Sequence, residues 1–159
     1  MVEPMEPLSR DGEEGLRLRA LCRSLPMAIL RARETVMALF RPTLGRYDLS
    51  EQQWRVLLLL AQNGPARPTD ISAATRIHVS SLSRIIASLR GRGLITRAGN
   101  AADMRAALVA ITPQGTELVG AIAPELEGVY DEIEERLGPE DVEALVILVR
   151  RIEETLKPQ

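Results

Sequence analysis

The sequence predicts a mainly α-helical protein with a small β-hairpin wing: a winged helix-turn-helix with N- and C-terminal dimerisation helices. Three observations carry that expectation. Apolar residues recur at helical spacing in six stretches. Two short alternating runs, separated by a polar loop, interrupt the series after the fourth stretch. Proline, glycine and capping residues mark the boundaries, giving the order helix, helix, short helix, helix, hairpin, helix, helix.

The first helix starts at Ser24 as N-cap with Pro26 in its first turn, and carries Leu25, Ile29, Ala32, Val36, Leu39 and Phe40. Pro42 and Gly45 are expected to close it. Ser50 caps the second helix, with Gln53 three residues on and Trp54, Leu57, Leu58 and Ala61 as its apolar positions. Asn63-Gly-Pro65 ends that helix. A short third helix runs from Thr69 or Asp70 to about Thr75. A fourth, capped by Ser80 or Ser81, carries Leu82, Ile85, Ile86 and Leu89 and stops at Gly91-Arg-Gly93, where Gly93 takes a positive φ.

Leu94–Arg97 and Ala107–Ile111 read as the two strands, joined by a polar loop from Ala98 to Arg105. Thr112-Pro113 opens a long helix to about Leu137. Gly138-Pro139 separates it from a last helix ending near Leu156. Helices two to four plus the hairpin form one DNA-binding module. The flanking helices have no partner within it, and an amphipathic helix must bury its stripe, so a second copy of the chain is the economical partner. The expected organisation is an acidic, disordered tail over 1–20 and one winged-helix domain over 21–157. Within the latter, the DNA-binding lobe spans about 48–112, and the dimerisation helices span about 24–45 and 113–157.

The 159 residues are 45% hydrophobic, which suffices for one real core. No apolar run approaches the ~18 residues of a membrane helix, the N-terminus has no basic, apolar leader, and Cys22 is the lone cysteine, so a cytoplasmic chain without disulfides is expected. The net charge of −2 conceals an asymmetry. Arg76 to Arg105 holds six arginines and one acid, a balance of +5. Pro113 to Gln159 holds twelve acids and four bases, a balance of −8. A basic stripe across the third and fourth helices and the hairpin suits a polyanion, or is simply a solvated face. Enzyme signals are absent. One His and one Cys do not make a zinc site, no Gly-rich phosphate loop is present, and neither G-x-S-x-G nor H-E-x-x-H occurs. No cofactor is expected.

Ser81-Leu-Ser-Arg84, Leu89-Arg-Gly-Arg-Gly-Leu-Ile-Thr-Arg97, Asp103-Met-Arg105 and Leu108-Val-Ala-Ile-Thr-Pro-Gln-Gly115 resemble the MarR (multiple antibiotic resistance regulator) family over about residues 24–157. Ser24–Glu34, Phe40-Arg-Pro42 and Leu49–Arg55 are similar to its branch of homoprotocatechuate-degradation repressors (HpaR type). That resemblance implies a homodimeric repressor of an aromatic-acid catabolic operon on a pseudo-palindromic operator. A phenolic or aromatic carboxylate would release it, with homoprotocatechuate or a hydroxycinnamate as first guesses. The chain departs from the branch at Arg76-Ile-His-Val79 and Gly99-Asn-Ala-Ala102.

Ser80, Ser81, Ser83 and Arg84 bring hydroxyls and a guanidinium to the start of the fourth helix, chemistry that suits bases and phosphates in the major groove. One serine alternatively caps the helix. Arg105 suits a wing tip in the minor groove. The resemblance implies that Asp103 holds Arg97 or Arg105 in place; an ordinary exposed ion pair is the alternative. For the effector, Arg33 lies on or near the apolar stripe of the first helix and would anchor a carboxylate, with Arg31 and Arg23 as neighbours, or would pair with an acid of a partner chain. Trp54 is either core or the wall of an aromatic pocket. His78 either bonds a phenol or is structural. Cys22 is either a thiol sensor or a bland residue. Two further readings stay open, a winged helix used for protein assembly and a regulator answering to oxidants or another signal.

Overall fold

The computed structural model describes residues 24–98 and 108–156, so the expectations placed on 1–20, Cys22, Arg23, Gly99–Ala102, Asp103 and Arg105 lie outside the described residues. It contains α1 (Leu25–Arg46), α2 (Glu51–Asn63), α3 (Pro68–Thr75), α4 (Val79–Gly91), β1 (Ile95–Ala98), β2 (Leu108–Ile111), α5 (Pro113–Leu137) and α6 (Pro139–Thr155). The chain divides into two compact units at Val36–Met37, within the length of α1.

In the first unit, α1 begins directly after Ser24, and its apolar Leu25, Ile29 and Leu30 are exposed. In the second unit α1 continues through Pro42 instead of closing there. Pro42 removes one amide donor, but Ala38, whose carbonyl loses it, is exposed to water. Phe40, Thr43 and Leu44 are buried and hold the final turn, so packing overrides the local signal. The helix ends in a Schellman cap: Leu49 N–H donates to Leu44 O (3.0 Å) and Asp48 N–H to Gly45 O (3.1 Å). Asp48 is the left-handed residue of that cap, with φ 52°.

The capping box that opens α2 forms as expected. Ser50 Oγ accepts from Gln53 N (3.2 Å), and Gln53 Oε1 accepts from Ser50 N (2.8 Å). Trp54, Val56, Leu57 and Leu60 face the core. A third helix begins at Pro68, one residue before the expected start, because proline is preorganised for a first turn. Its C-terminus is tied down by Arg55, whose Nη1 donates to Thr75 O (2.8 Å). Arg76 then turns the chain with φ 56°, leading buried Ile77 into α4.

Strands β1 and β2 are antiparallel, with Ile95 opposite Ile111 and Arg97 opposite Val109. Ala66 adds a rung, accepting from Val109 N (2.8 Å) and donating to Val109 O (3.0 Å). The core of this unit gathers Leu57, Leu60, Ile71, Leu82, Leu89, Val109 and Ile122, all but fully excluded from water. Each such side chain contributes about 1.5–3 kcal/mol relative to exposure. Phe40 meets Tyr130 edge-to-face, with ring centroids 5.1 Å apart, which packs the end of α1 on α5.

Thr112 caps α5, accepting from Gly115 N (3.1 Å), as its position before Pro113 predicts. Helix α6 differs from all the others, because none of its residues is buried. Leu145, Val146, Ile147, Leu148 and Val149 all stand 40% or more exposed, an apolar run that encircles the helix. Among the described residues no helix is long and apolar enough to cross a membrane.

Candidate nucleic-acid interface

Helix α4 has one buried face, formed by Leu82, Ile85 and Leu89, and one outer face. Helical spacing puts Ser80, Ser83, Arg84 and Ala87 on the outer side, where all four are exposed. The helix begins at Val79 with His78 at the N-cap, and no side chain caps it. This corrects the expectation that Ser80 or Ser81 caps α4; both belong to the first helical turn. Ser83 Oγ donates back to Val79 O (3.3 Å). The side chains of Ser80, Ser81 and Arg84 make no hydrogen bond or ion pair among the described residues. Together with Gln52 of α2 and Ile85 they line an open cleft at the start of α4. Uncapped amide donors, two hydroxyls and an unpaired guanidinium thus converge on one exposed surface. The helix N-terminus adds partial positive charge there, which suits a phosphate. Arg76, Arg90 and Arg97 are likewise exposed, so the described part of the basic stripe faces solvent except at the half-buried Arg92.

Three ties hold this helix in place. Gln53, beyond its role in the capping box, donates from Nε2 to Ser88 Oγ (3.0 Å) and so joins α2 to α4. At its C-terminus α4 closes in a second Schellman cap: Leu94 N–H donates to Leu89 O (3.0 Å), Gly93 N–H to Arg90 O (2.9 Å), and Gly93 has the expected positive φ, 72°. The intervening Arg92 reaches across to the turn after α1. Its Nη1 donates to Asp48 O (2.6 Å) and its Nη2 to Tyr47 O (2.9 Å). That same turn is fastened to α5, since Arg46 and the Tyr47 hydroxyl both bind the carboxylate of Glu125. The Tyr47 phenol is consequently pushed above its ordinary pKa. The hydrogen bond to Glu125 is the main cause, burial and the Glu125 charge add to it, and Arg46 opposes.

The candidate effector residues are placed less favourably. Trp54 is buried on α2. His78 is exposed and lines a separate open cleft with Ser72, Arg76 and Val79, which Trp54 does not enter. Arg33 is not the buried charge that its spacing suggests: its side chain is 44% exposed and pairs with the adjacent Glu34 at 2.9 Å. Arg31 is exposed on the same helix. Among the described residues no cluster of His, Cys, Asp and Glu could hold a metal ion.

Sequence reasoning missed Gln52, Gln53 as an interhelical tie, Arg92 and Glu125. An exposed glutamine beside a helix N-cap was a usable signal for Gln52. None pointed to Arg92, whose acceptors are main-chain carbonyls.

Residues 47–106 match the model of the MarR family. The HTH-type transcriptional regulator FarR of Neisseria gonorrhoeae is 36% identical over 117 residues, which cover 74% of this chain and 80% of that protein. The homoprotocatechuate degradative operon repressor of Escherichia coli is 32% identical, with 79% and 85% covered. A crystal structure of NadR in complex with 4-hydroxyphenylacetate superposes with a TM-score of 0.73 at 32% identity, covering 84% of this chain and 100% of that one.

Proposed function

Because the chain belongs to the MarR family of transcriptional regulators, we propose that it is a cytoplasmic, homodimeric repressor that reads a pseudo-palindromic operator and is released by an aromatic acid. The observation that carries the DNA-binding part is the outer face of α4, where Ser80, Ser81 and Arg84 are exposed and their side chains have no partner among the described residues. Arg84 reads a base edge, the serines take bases or phosphates, and Arg105 of the wing enters the minor groove, with Asp103 holding Arg97 or Arg105 in place. Two recognition helices related by a two-fold axis then lie about one helical turn, ~34 Å, apart on the duplex.

The exposed apolar face of α6, with Leu137 and Tyr130 of α5, supports the dimer. An obligate interface of this kind commonly buries more than ~2,000 Å². Two similarities support the effector class: a 32% identical repressor of homoprotocatechuate degradation and a 32% identical structure holding 4-hydroxyphenylacetate. In this reading Arg31, Arg33 or Arg23 binds the carboxylate, Trp54 gives an aromatic wall and His78 bonds the phenol. The ligand must favour a DNA-incompetent state, which typically lowers operator affinity about 5–150-fold.

The test is fluorescence anisotropy on DNA upstream of the chain's own and neighbouring genes, with and without a panel including 3,4-dihydroxyphenylacetate and hydroxycinnamates. Arg84→Ala should cost ~1–3 kcal/mol on the specific site. Arg105→Ala should weaken binding and flatten its salt dependence by about one counterion. Calorimetry on Arg33→Ala tests the carboxylate contact. Equal affinity for every fragment, with or without acids, overturns the reading.

A further inference from the structure

The turn Arg46–Ser50 is fastened on two sides, and the two sides are different elements. On one, Arg46 and Tyr47 bind Glu125 in the middle of α5. On the other, Arg92 of the α4 cap grips the carbonyls of Tyr47 and Asp48, while Gln53, locked to Ser50, holds Ser88 of α4. We propose that this turn is the mechanical coupler that sets the recognition helix relative to α5, with Arg92 and Glu125 as its positioning residues. The proposal rests on the DNA-binding, dimeric reading above.

The geometry favours a rigid link. Both hydrogen bonds from Arg92 end on adjacent main-chain carbonyls, so the planar guanidinium fixes an orientation as well as a distance. Its acceptors cannot change rotamer, because they belong to the backbone of a Schellman cap. Asp48 holds φ 52° there, the left-handed conformation that the cap requires and that aspartate adopts more readily than most non-glycine residues. Glu125 is only partly exposed, and it receives the Tyr47 hydroxyl and the Arg46 guanidinium on opposite oxygens, so the turn cannot slide along α5 without breaking one of them. One carboxylate and one guanidinium, 33 residues apart in sequence, are thereby joined through a five-residue turn that neither belongs to.

The consequence lies in operator spacing. In a two-fold dimer, the angle between α4 and α5 sets the distance between the two recognition helices. One inserted base pair moves a half-site by ~3.4 Å and rotates it by roughly a tenth of a turn. A stiff coupler penalises such a change; a loosened one tolerates it.

The experiment selects DNA from a random-sequence pool with the wild-type full chain. It then measures affinity for the selected site and for versions with one base pair inserted or deleted at the centre. The wild type should lose roughly tenfold or more per base pair, about 1.4 kcal/mol. Arg92→Lys, Glu125→Gln and Tyr47→Phe should each reduce that penalty to about threefold or less, and Arg92→Lys with Glu125→Gln should add little to either alone. The slope of affinity against salt should stay unchanged in all of them and in Arg92→Gln, which removes the charge; a fall of about one counterion in Arg92→Gln would instead make Arg92 a phosphate contact and overturn its positioning role. Melting curves confirm folding, and the mild Tyr47→Phe removes one hydroxyl if the charge variants unfold. Failure to enrich any sequence defeats the DNA-binding reading and the proposal with it. An enriched palindrome whose spacing penalty is the same in wild type and folded variants overturns the coupler alone.

Discussion

Gly115→Ala sets helix propensity against sterics in a way that one measurement decides. The residue stands in the first turn of α5, where alanine is favoured over glycine by about 1 kcal/mol on propensity alone. The structure reverses that expectation. A Cβ at Gly115 would lie 2.2 Å from the Leu94 carbonyl oxygen and 2.7 Å from Ile111 Cγ1. Ordinary carbon contacts begin near 3.5 Å. The oxygen is main chain and already accepts from Thr112 N (3.0 Å), and Thr112 in turn caps α5 through Gly115 N–H. Relief therefore requires the root of the hairpin to move about 1 Å away from α5. That motion costs a backbone hydrogen bond of about 0.5–1.5 kcal/mol, weakens a cap worth ~1 kcal/mol and repacks Ile111 for about 1–3 kcal/mol. After the propensity gain of about 1 kcal/mol, the net loss is about 1.5–4.5 kcal/mol. For a chain of this size that lowers the melting temperature by roughly 3–18 °C. Thermal denaturation by circular dichroism at matched protomer concentration reads it directly. A variant as stable as the wild type, or more stable, would refute the close approach of the Leu94 carbonyl to the first turn of α5.

Other expectations follow from the same ties. Tyr47 titrates above ordinary tyrosine because its hydroxyl donates a hydrogen bond to the Glu125 carboxylate. Its folded pKa is raised, so the tie is intact below pH 10 and is lost as pH rises through the folded value. In Tyr130→Phe, ultraviolet titration of the remaining tyrosine should shift down when Glu125→Gln is added, and an unmoved curve would count against the hydrogen bond. Ser50→Ala should cost ~1 kcal/mol in urea denaturation, because it removes half of the capping box. Sedimentation at micromolar concentration should give a dimer, and Leu145→Glu with Leu148→Glu should give monomers; a monomeric wild type defeats the assignment of α6.

Much of the fold was legible because its signals are local. Ser50 with Gln53, Thr112 before Pro113 and Gly138 before Pro139 each specify a boundary through residues within one turn. Where the sequence misled, a distant contact had won. Pro42 reads as a stop, yet burial of Phe40 and Leu44 carries α1 past it. Ser80 and Ser81 read as caps, but buried Ile77 draws the start of α4 forward to His78 and Val79. Exposure of Arg84 and the serines was foreseeable from helical spacing. The grip of Arg92 was not, since it bridges 44 and 45 residues to acceptors that every residue type possesses. The roles expected of Arg31, Arg33 and Arg23 were hardest to reach, because a carboxylate anchor is defined by its ligand, and the spacing of arginines along a helix does not encode one.

The absence of any buried residue in α6 has a consequence for how substitutions there are read. Every fully buried side chain of the second unit, from Leu44 to Ile122, lies outside α6. Polar replacements along α6 therefore remove none of the side chains that close the core around α2, α4 and β2, and the outer face of α4 keeps its supports. The residues that make the chain fold and those that leave an apolar surface in water are separate sets, so one set can change without carrying the other with it.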